Sequence, residues 1–287
     1  MGWNNNDERK WIDDLIIKTK PLVEQQKQNP AVPLFDISLQ VTIPNELQRM
    51  APENIIYTAG METDRVAAIW TGKCHEMADK LLVISEHAKS GFEKSVKATL
   101  PNGDEVDFVL EKPIEVVHYP VKKIKTKDLN LNLDTKFNFL TLAQWGPRKN
   151  LENTIAWFCE EFKNNEDVGL VVKAYARGNS RIDKEYVENS IKRVMEHFSN
   201  SKCKVYLLHG YMTEQQIHSL YCDSNIHALI NFGHGEGFGL PIFEAAYSGL
   251  PVITHDFGGQ KDFLYAPKKN KKGVEKLRAH FSKVPYD

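Results

Sequence analysis

Hydrophobic and polar positions change period along the chain, and the change separates an irregular first part from a regular second part. Residues 7–27 carry Trp11, Leu15, Ile16, Leu22 and Val23 at helical spacing, which predicts an amphipathic helix with a kink or break at Pro21. Phe35-Asp36-Ile37-Ser38-Leu39-Gln40-Val41 alternates as a strand does. Residues 54–59 and 80–84 are short apolar runs that predict two more strands, with a helix between them from Asp64 to near His75. Ser85 reads as the cap of a helix reaching Ser90, with Glu86 in its first turn. Residues 96–100 and 106–110 flank Pro101-Asn102-Gly103-Asp104 and predict a β-hairpin across an Asn-Gly turn. Residues 115–121 form a last extended piece before a polar connector, 122–136, rich in lysine and asparagine.

Beyond the connector, strands are expected at 137–142, 169–173, 204–208, 226–230 and 251–254. Helices fit between them at 151–162, 184–198, 214–222 and 241–248, the third opened by the capping-box pair Thr213 and Gln216. This alternation predicts βαβ units and a parallel sheet, and ligands of such sheets bind beyond the carboxyl ends of the strands. Two loops are expected at such ends. One is Gln144-Trp145-Gly146-Pro147-Arg148-Lys149-Asn150. The other is His234-Gly235-Glu236-Gly237-Phe238-Gly239-Leu240-Pro241-Ile242-Phe243-Glu244. In the latter, Pro241 suits a first helical turn, Gly249 a helix end, and the glycines a close approach of backbone N–H groups to an anion at the helix start.

Composition narrows the function classes. The chain has 287 residues, 41% hydrophobic and 26% charged, which is globular composition for one large or two medium domains. A net charge of −1 offers nothing for electrostatic capture of nucleic acid or an acidic membrane. Cys74, Cys159, Cys203 and Cys222 are scattered without a C-x-x-C pair, which favours a reduced, cytoplasmic setting over structural zinc. No apolar run reaches the roughly 20 residues of a membrane helix, and the polar start of the chain does not read as a signal peptide. Peripheral membrane contact stays open. His209, His218, His227, His234 and His255 fit no metal-ligand spacing, and the lysine-rich stretch 268–276 reads as a solvated tail. Asn102-Gly103-Asp104-Glu105 is a turn rather than a calcium loop.

Glu236 and Glu244, eight residues apart around Gly-Phe-Gly-Leu-Pro and followed by Ala-Ala-x-Ser-Gly-Leu-Pro-Val-Ile, resemble the signature of the family-4 retaining glycosyltransferases, also called glycosyl transferases group 1. Pro147-Arg148-Lys149-Asn150, Gly210-Tyr211-Met212-Thr213-Glu214, and Gly258-Gly259 with Asp262-Phe263 carry further resemblance, strongest over 137–264. Residues 35–121 resemble the family weakly, through Ile43-Pro44-Asn45-Glu46 and Tyr57-Thr58-Ala59-Gly60-Met61-Glu62. The resemblance implies an α/β fold of the GT-B type, two Rossmann-like domains facing across a cleft. A partial acceptor-side domain would span 1–125 and a nucleotide-sugar domain 126–287. It implies transfer of a sugar from a UDP- or GDP-sugar to a glycan, lipid or protein acceptor with retained anomeric configuration, without a metal or other cofactor.

Carried over residue by residue, the resemblance gives Glu244 to the donor ribose and Glu236 to hydroxyls of the transferred sugar. Backbone N–H groups of Gly237, Phe238, Gly239 and Leu240 would hold sugar and diphosphate, Lys149 and Arg148 would pair with the diphosphate, and Tyr211 would lie near the base. The family's arginine five residues before the lysine is Gln144 here, His234 stands at another common arginine position, and the usual acceptor-side histidine has no counterpart. Glu62 is the nearest ionisable group there and is a third catalytic candidate beside Glu236 and Lys149. The family's opening βαβ unit and closing elements are expected to be missing, so the chain reads as truncated at both ends. Two rivals follow: a remnant that binds nucleotide without turnover, and a related GT-B phosphorylase or epimerase.

Overall fold

The computed structural model describes residues 6–29, 33, 35–59, 61–99, 102–271 and 273–285. The chain divides into two compact units. The first comprises Met1–Ala59, Val66–Val83 and Phe92–Val116; the second comprises Gly60–Arg65, Ile84–Gly91 and Val117–Asp287. Elements follow in chain order as α1 (Asn6–Gln28), β1 (Ile37–Val41), β2 (Glu53–Thr58), α2 (Ala68–Met77), β3 (Lys80–Val83), α3 (Glu86–Glu93), β4 (Val96–Thr99), β5 (Glu105–Phe108) and β6 (Ile114–Val116).

In the first unit, β1, β2, β3 and β6 form a parallel sheet in that order. Its turn into β2 is fixed by the buried Asn54, whose Oδ1 accepts from the N–H groups of Met50 and Ala51 at 2.9 and 3.1 Å. The expected hairpin is β4 paired antiparallel with β5, Val96 opposite Phe108, closed by Gly103 at φ 88°. Leu100 and Pro101 of that prediction lie outside the described residues. Helix α1 runs unbroken through Pro21, where a kink or break was expected.

The second unit holds β7 (Phe137–Gln144), α4 (Leu151–Phe162), β8 (Val168–Tyr175), α5 (Arg181–Glu196), β9 (Lys204–Leu208), α6 (Glu214–Tyr221), β10 (Ala228–Asn231), α7 (Leu240–Tyr247), β11 (Val252–His255), α8 (Lys261–Leu264), β12 (Tyr265–Lys269), β13 (Glu275–Ala279) and β14 (Ser282–Val284). Six strands make one parallel sheet in the order β14-β11-β10-β7-β8-β9. Strand β8 is buried on both faces, so it reads as a continuous apolar run rather than an alternation. Leu170 and Val172 pack with Ile155 and Phe158 of α4 and Val187 and Ile191 of α5. Val171, between them, packs with Leu220 of α6 and Ile242 and Ala245 of α7. The helices therefore cover the sheet in two layers, α4 and α5 on one face and α6 and α7 on the other.

The stretch 268–276 is not a solvated tail. It supplies part of an antiparallel hairpin, β12 with β13, in which Lys268 faces Lys276 and Lys269 faces Glu275. Its strand residues Lys268, Lys269, Glu275 and Lys276 are exposed, which is why the sequence pattern resembles a tail. Strand β14 then adds a sixth parallel strand beside β11. Among the described residues no helix is long and apolar enough to cross a membrane.

Candidate functional site

The chain runs outward through β7, β8 and β9, then returns to place β10 on the opposite side of β7. The carboxyl ends of β7 and β10 thus form a topological switch point, where open α/β sheets bind ligands. The loop after β7 carries Arg148 and Lys149; the loop after β10 carries His234 to Gly239. One backbone and one side-chain bond stitch the two: His234 N–H donates to Arg148 O at 2.8 Å, and Asn150 Nδ2 donates to Phe232 O at 3.0 Å.

Glu236 is 6% exposed and its carboxylate is ion-paired with Lys149 Nζ. Arg148 Nη1 donates to Gly235 O at 3.0 Å and stands 3.8 Å from the second Glu236 oxygen, while Nη2 lies 3.3 Å from Glu62 Oε1. The three catalytic candidates, Glu236, Lys149 and Glu62, therefore converge with Arg148 in one cluster. A carboxylate this buried is sustained because two cations face it. Gln144, which replaces the usual arginine, is turned away: its Nε2 donates to Ala176 O at 2.8 Å.

The glycine loop is backed by chain rather than open on all sides. A Cβ on Gly235 would collide with the Glu62 carbonyl, and one on Gly237 would stand 3.0 Å from Met61 O. Two glycines expected to admit a ligand are thus also needed for the Met61–Glu62 backbone. Ser85 Oγ donates to Gly237 O at 2.6 Å and accepts from Ala88 N–H at 3.1 Å, so one hydroxyl both caps α3 and holds the loop. The sequence marks Ser85 as a cap, but its bond to the loop has no local signal. Asp262 accepts from Glu86 N–H at 2.8 Å and lies 3.0 Å from His118 Nε2.

Phe238 is 3% exposed and packs against the rings of Tyr119, Phe243 and Phe263, so its side chain anchors the loop in the core. What it can offer a ligand is its backbone. Among the described residues, the N–H groups of Phe238, Gly239 and Leu240 have no protein acceptor. They open α7, whose first turn presents unpaired N–H groups and the positive end of the helix dipole.

Glu244, one turn further along α7, is half-buried and accepts from Tyr221 OH at 3.2 Å. Burial pushes its carboxyl above the usual range, with the Glu214 charge adding to the shift and the Tyr221 bond opposing it. Tyr221 is pushed well above its ordinary value, by burial first and then by Glu244. Both line a pocket of about 450 Å³ with Tyr211, Met212, Leu240 and Tyr247. Tyr211 and Leu240, both expected at the site, are exposed in this wall beside Glu244, as is Tyr247.

His209, placed by the sequence among histidines without a metal pattern, is 2.8 Å from Asp183 Oδ2. Burial raises the Asp183 carboxyl, but His209 and the N–H groups of Arg177, Ala176 and Gly178 outweigh it and hold the pKa at about 2. This pair ties the loops after β8 and β9 together. Among the described residues no cluster of histidine, cysteine and carboxylate groups could hold a metal ion.

Comparisons with known proteins give the family and the fold. Residues 122–274, more than half of the chain, match the family described as glycosyl transferases group 1. A curated relative, the serotype-specific mannosyltransferase WbdA of Escherichia coli, is 31% identical over 119 residues, covering 42% of this chain and 13% of that much longer protein. Sucrose-phosphate synthase from Thermosynechococcus elongatus superposes with a TM-score of 0.57 at 14% identity, over 87% of this chain and 63% of that one. Anabaena HepE, solved with UDP and glucose, superposes with a TM-score of 0.55 at 14% identity, over 84% of this chain and 64% of that one. These structures show the fold, which is the GT-B type implied by the motifs. The chain belongs to the glycosyl transferases group 1 family.

Proposed function

We propose that this chain transfers a hexose-type sugar from a nucleoside-diphosphate sugar to a glycan, lipid or protein acceptor, with retention of anomeric configuration. The observation that carries the reading is the Lys149–Glu236 pair at the switch point, beside the acceptor-free N–H groups that open α7. In the reaction the bond from the anomeric carbon to the phosphate oxygen breaks. An acceptor oxygen bonds to that carbon on the same face, and the acceptor proton passes to the departing diphosphate.

Negative charge grows on the leaving group, so fixed cations and N–H dipoles lower the transition state more than the ground state. Lys149, Arg148 and the N–H groups of Gly237 to Leu240 take that role, with no metal required. Glu236 orients the transferred sugar, Glu244 accepts from the ribose hydroxyls, and Tyr211 flanks the base. Glu62 acts as a positioning residue for Arg148. The donor is held chiefly by residues of 126–287, and 1–125 contribute to the acceptor side. The cytoplasm supplies nucleotide sugars and keeps the four unpaired cysteines reduced.

The name of the curated relative makes GDP-mannose the first donor to try, and the UDP of the HepE structure makes UDP-glucose the second. Purified chain is incubated with each donor and an acceptor mixture, and product is read by NMR for the anomeric proton. Transfer with the donor's configuration supports the reading. Binding of nucleoside diphosphate without any turnover would instead favour a catalytically inactive nucleotide-binding remnant.

A further inference from the structure

One broad concavity of the second unit holds none of the donor contacts assigned above. It measures about 1010 Å³ and opens between the starts of α4 and α5, lined by Trp145, Gly146, Asn153, Arg177, Ile182 and Tyr186 among others. Ligand pockets run from roughly 300 to 1,000 Å³, and this furrow lies at the upper end of that range. It borders the site without sharing its charged cluster: Pro147, Asn150 and His234 lie in its wall, each next in sequence to a residue of that cluster or of the glycine loop.

Its chemistry is specific. Trp145 is half-buried against the core beside Leu151 and Ile155, so its indole is a fixed surface rather than a swinging one. Tyr186, 52% exposed, and Ile182, 79% exposed, stand on the first turns of α5. The same lining carries the planar polar groups of Asn153, Glu152 and Arg177, all exposed. The exposed charges are one cation and one carboxylate. The remaining acid, Asp183, is buried and engaged by His209. A polyphosphate or nucleic acid finds no net positive field here. Ligands with apolar ring faces and equatorial hydroxyls do find a match, because aromatic rings offer an apolar body and the amides, carboxylate and guanidinium offer donors and acceptors in fixed planes.

We propose that this furrow is a subsite for a neutral oligosaccharide, the acceptor glycan of the transfer reaction, with Trp145 and Tyr186 as its stacking platforms. The assignment of the glycan as acceptor rests on the function proposed above; the saccharide site itself does not. An acceptor chain held here would be anchored away from its reacting end, raising its local concentration at the Lys149–Glu236 cluster.

Affinity electrophoresis of the purified chain through native gels containing mannan, dextran or hydroxyethyl cellulose tests the site without needing turnover. The expected result is retardation of wild type in at least one gel, retained by Trp145→Phe and lost, at least fivefold in apparent affinity, in Trp145→Ala and Tyr186→Ala. Tyr186→Ala, an exposed position, guards against misfolding, and thermal shift with UDP and GDP reports donor-site integrity separately. Wild type running freely in all three gels, or alanine variants retarded as strongly as wild type, overturns the proposal. Loss of nucleotide response alone would count against the donor reading and leave the saccharide result standing.

Discussion

Lys149 and Glu236, 87 residues apart in the chain, form an ion pair between the loops that follow β7 and β10. The pair is mostly buried, with 18% and 7% of the two side chains exposed. Removing one partner of such a pair strands the other without a counter-charge, which typically costs about 3–5 kcal/mol. In the proposed reaction Lys149 also faces the diphosphate, and a cation ~4 Å from a phosphate interacts by roughly 4 kcal/mol at an effective dielectric near 20. Lys149→Ala is therefore expected to lower kcat/KM for donor turnover by ~100-fold or more, about 2.7 kcal/mol. Steady-state kinetics beside a melting curve separates the two effects. Unchanged kinetics in a folded variant would remove Lys149 from the site.

The raised carboxyl of Glu244 predicts a pH dependence of donor binding. The ionised carboxylate accepts from the ribose hydroxyls more strongly than the protonated acid, so donor affinity should fall on acidification, beginning above the usual glutamate value. The stability sign is opposite. With the folded pKa above the unfolded one, the native state binds the extra proton in that window, so stability declines as pH rises through it. A nucleotide sugar, which lacks a terminal phosphate titration, is the suitable probe. Glu244→Gln should abolish the acid limb of the affinity profile; a limb that survives would assign it to another group.

Glu62 separates positioning from chemistry. Its pair with Arg148 is 29% and 45% exposed, a setting where ion pairs are worth about 0–1 kcal/mol. Glu62→Gln should leave kcat unchanged and shift donor KM by less than about fivefold, roughly the same free energy. A loss confined to kcat would make Glu62 a catalytic residue.

Chain crowding around the glycine loop predicts a contrast between two glycines. A Cβ on Gly259 would collide with the Gly237 carbonyl, whose neighbour Glu236 also accepts from Gly259 N–H at 2.8 Å. Nothing lies within 4 Å of a Cβ on Gly146. Gly259→Ala should lower Tm by roughly 5 °C or more, at about 2–4 °C per kcal/mol for a chain of this size, and Gly146→Ala by less than about 2 °C. Equal melting temperatures would mean the loop relaxes freely.

Asp183 predicts an acid weakness. With its carboxyl held at about 2, its stabilising contribution is present above the unfolded value and disappears as pH falls from near 4 through about 2. Asp183→Asn keeps the shape but loses the charge facing His209, and should lower Tm at neutral pH while flattening its decline below pH 4. Parallel curves for the two proteins would exclude this pair as the cause.

Much of the second unit is legible in the sequence because its signals are local. Strands buried on both faces read as apolar runs, α4 spans the expected Leu151–Phe162, and the Thr213–Gln216 capping box forms as expected. The β12–β13 hairpin is illegible because its side chains are exposed and no burial imprints an alternation. At the candidate site, the sequence points to Lys149, Glu236 and Glu244 but not to what surrounds them. Ser85 holding Gly237, the Met61–Glu62 backbone against Gly235, and Tyr221 on Glu244 join segments far apart in the chain, and nothing in their local sequence announces the partner. The furrow at Trp145 and Tyr186 is a property of two loop ends meeting and has no motif of its own.

The most direct test of the account is the release of nucleoside diphosphate from GDP-mannose and UDP-glucose by wild type and by Glu236→Gln, which keeps the side-chain shape and removes the charge paired with Lys149. The account predicts release by wild type from at least one donor and a rate lower by ~100-fold or more, about 2.7 kcal/mol, in the variant. Equal rates for the two proteins would contradict it.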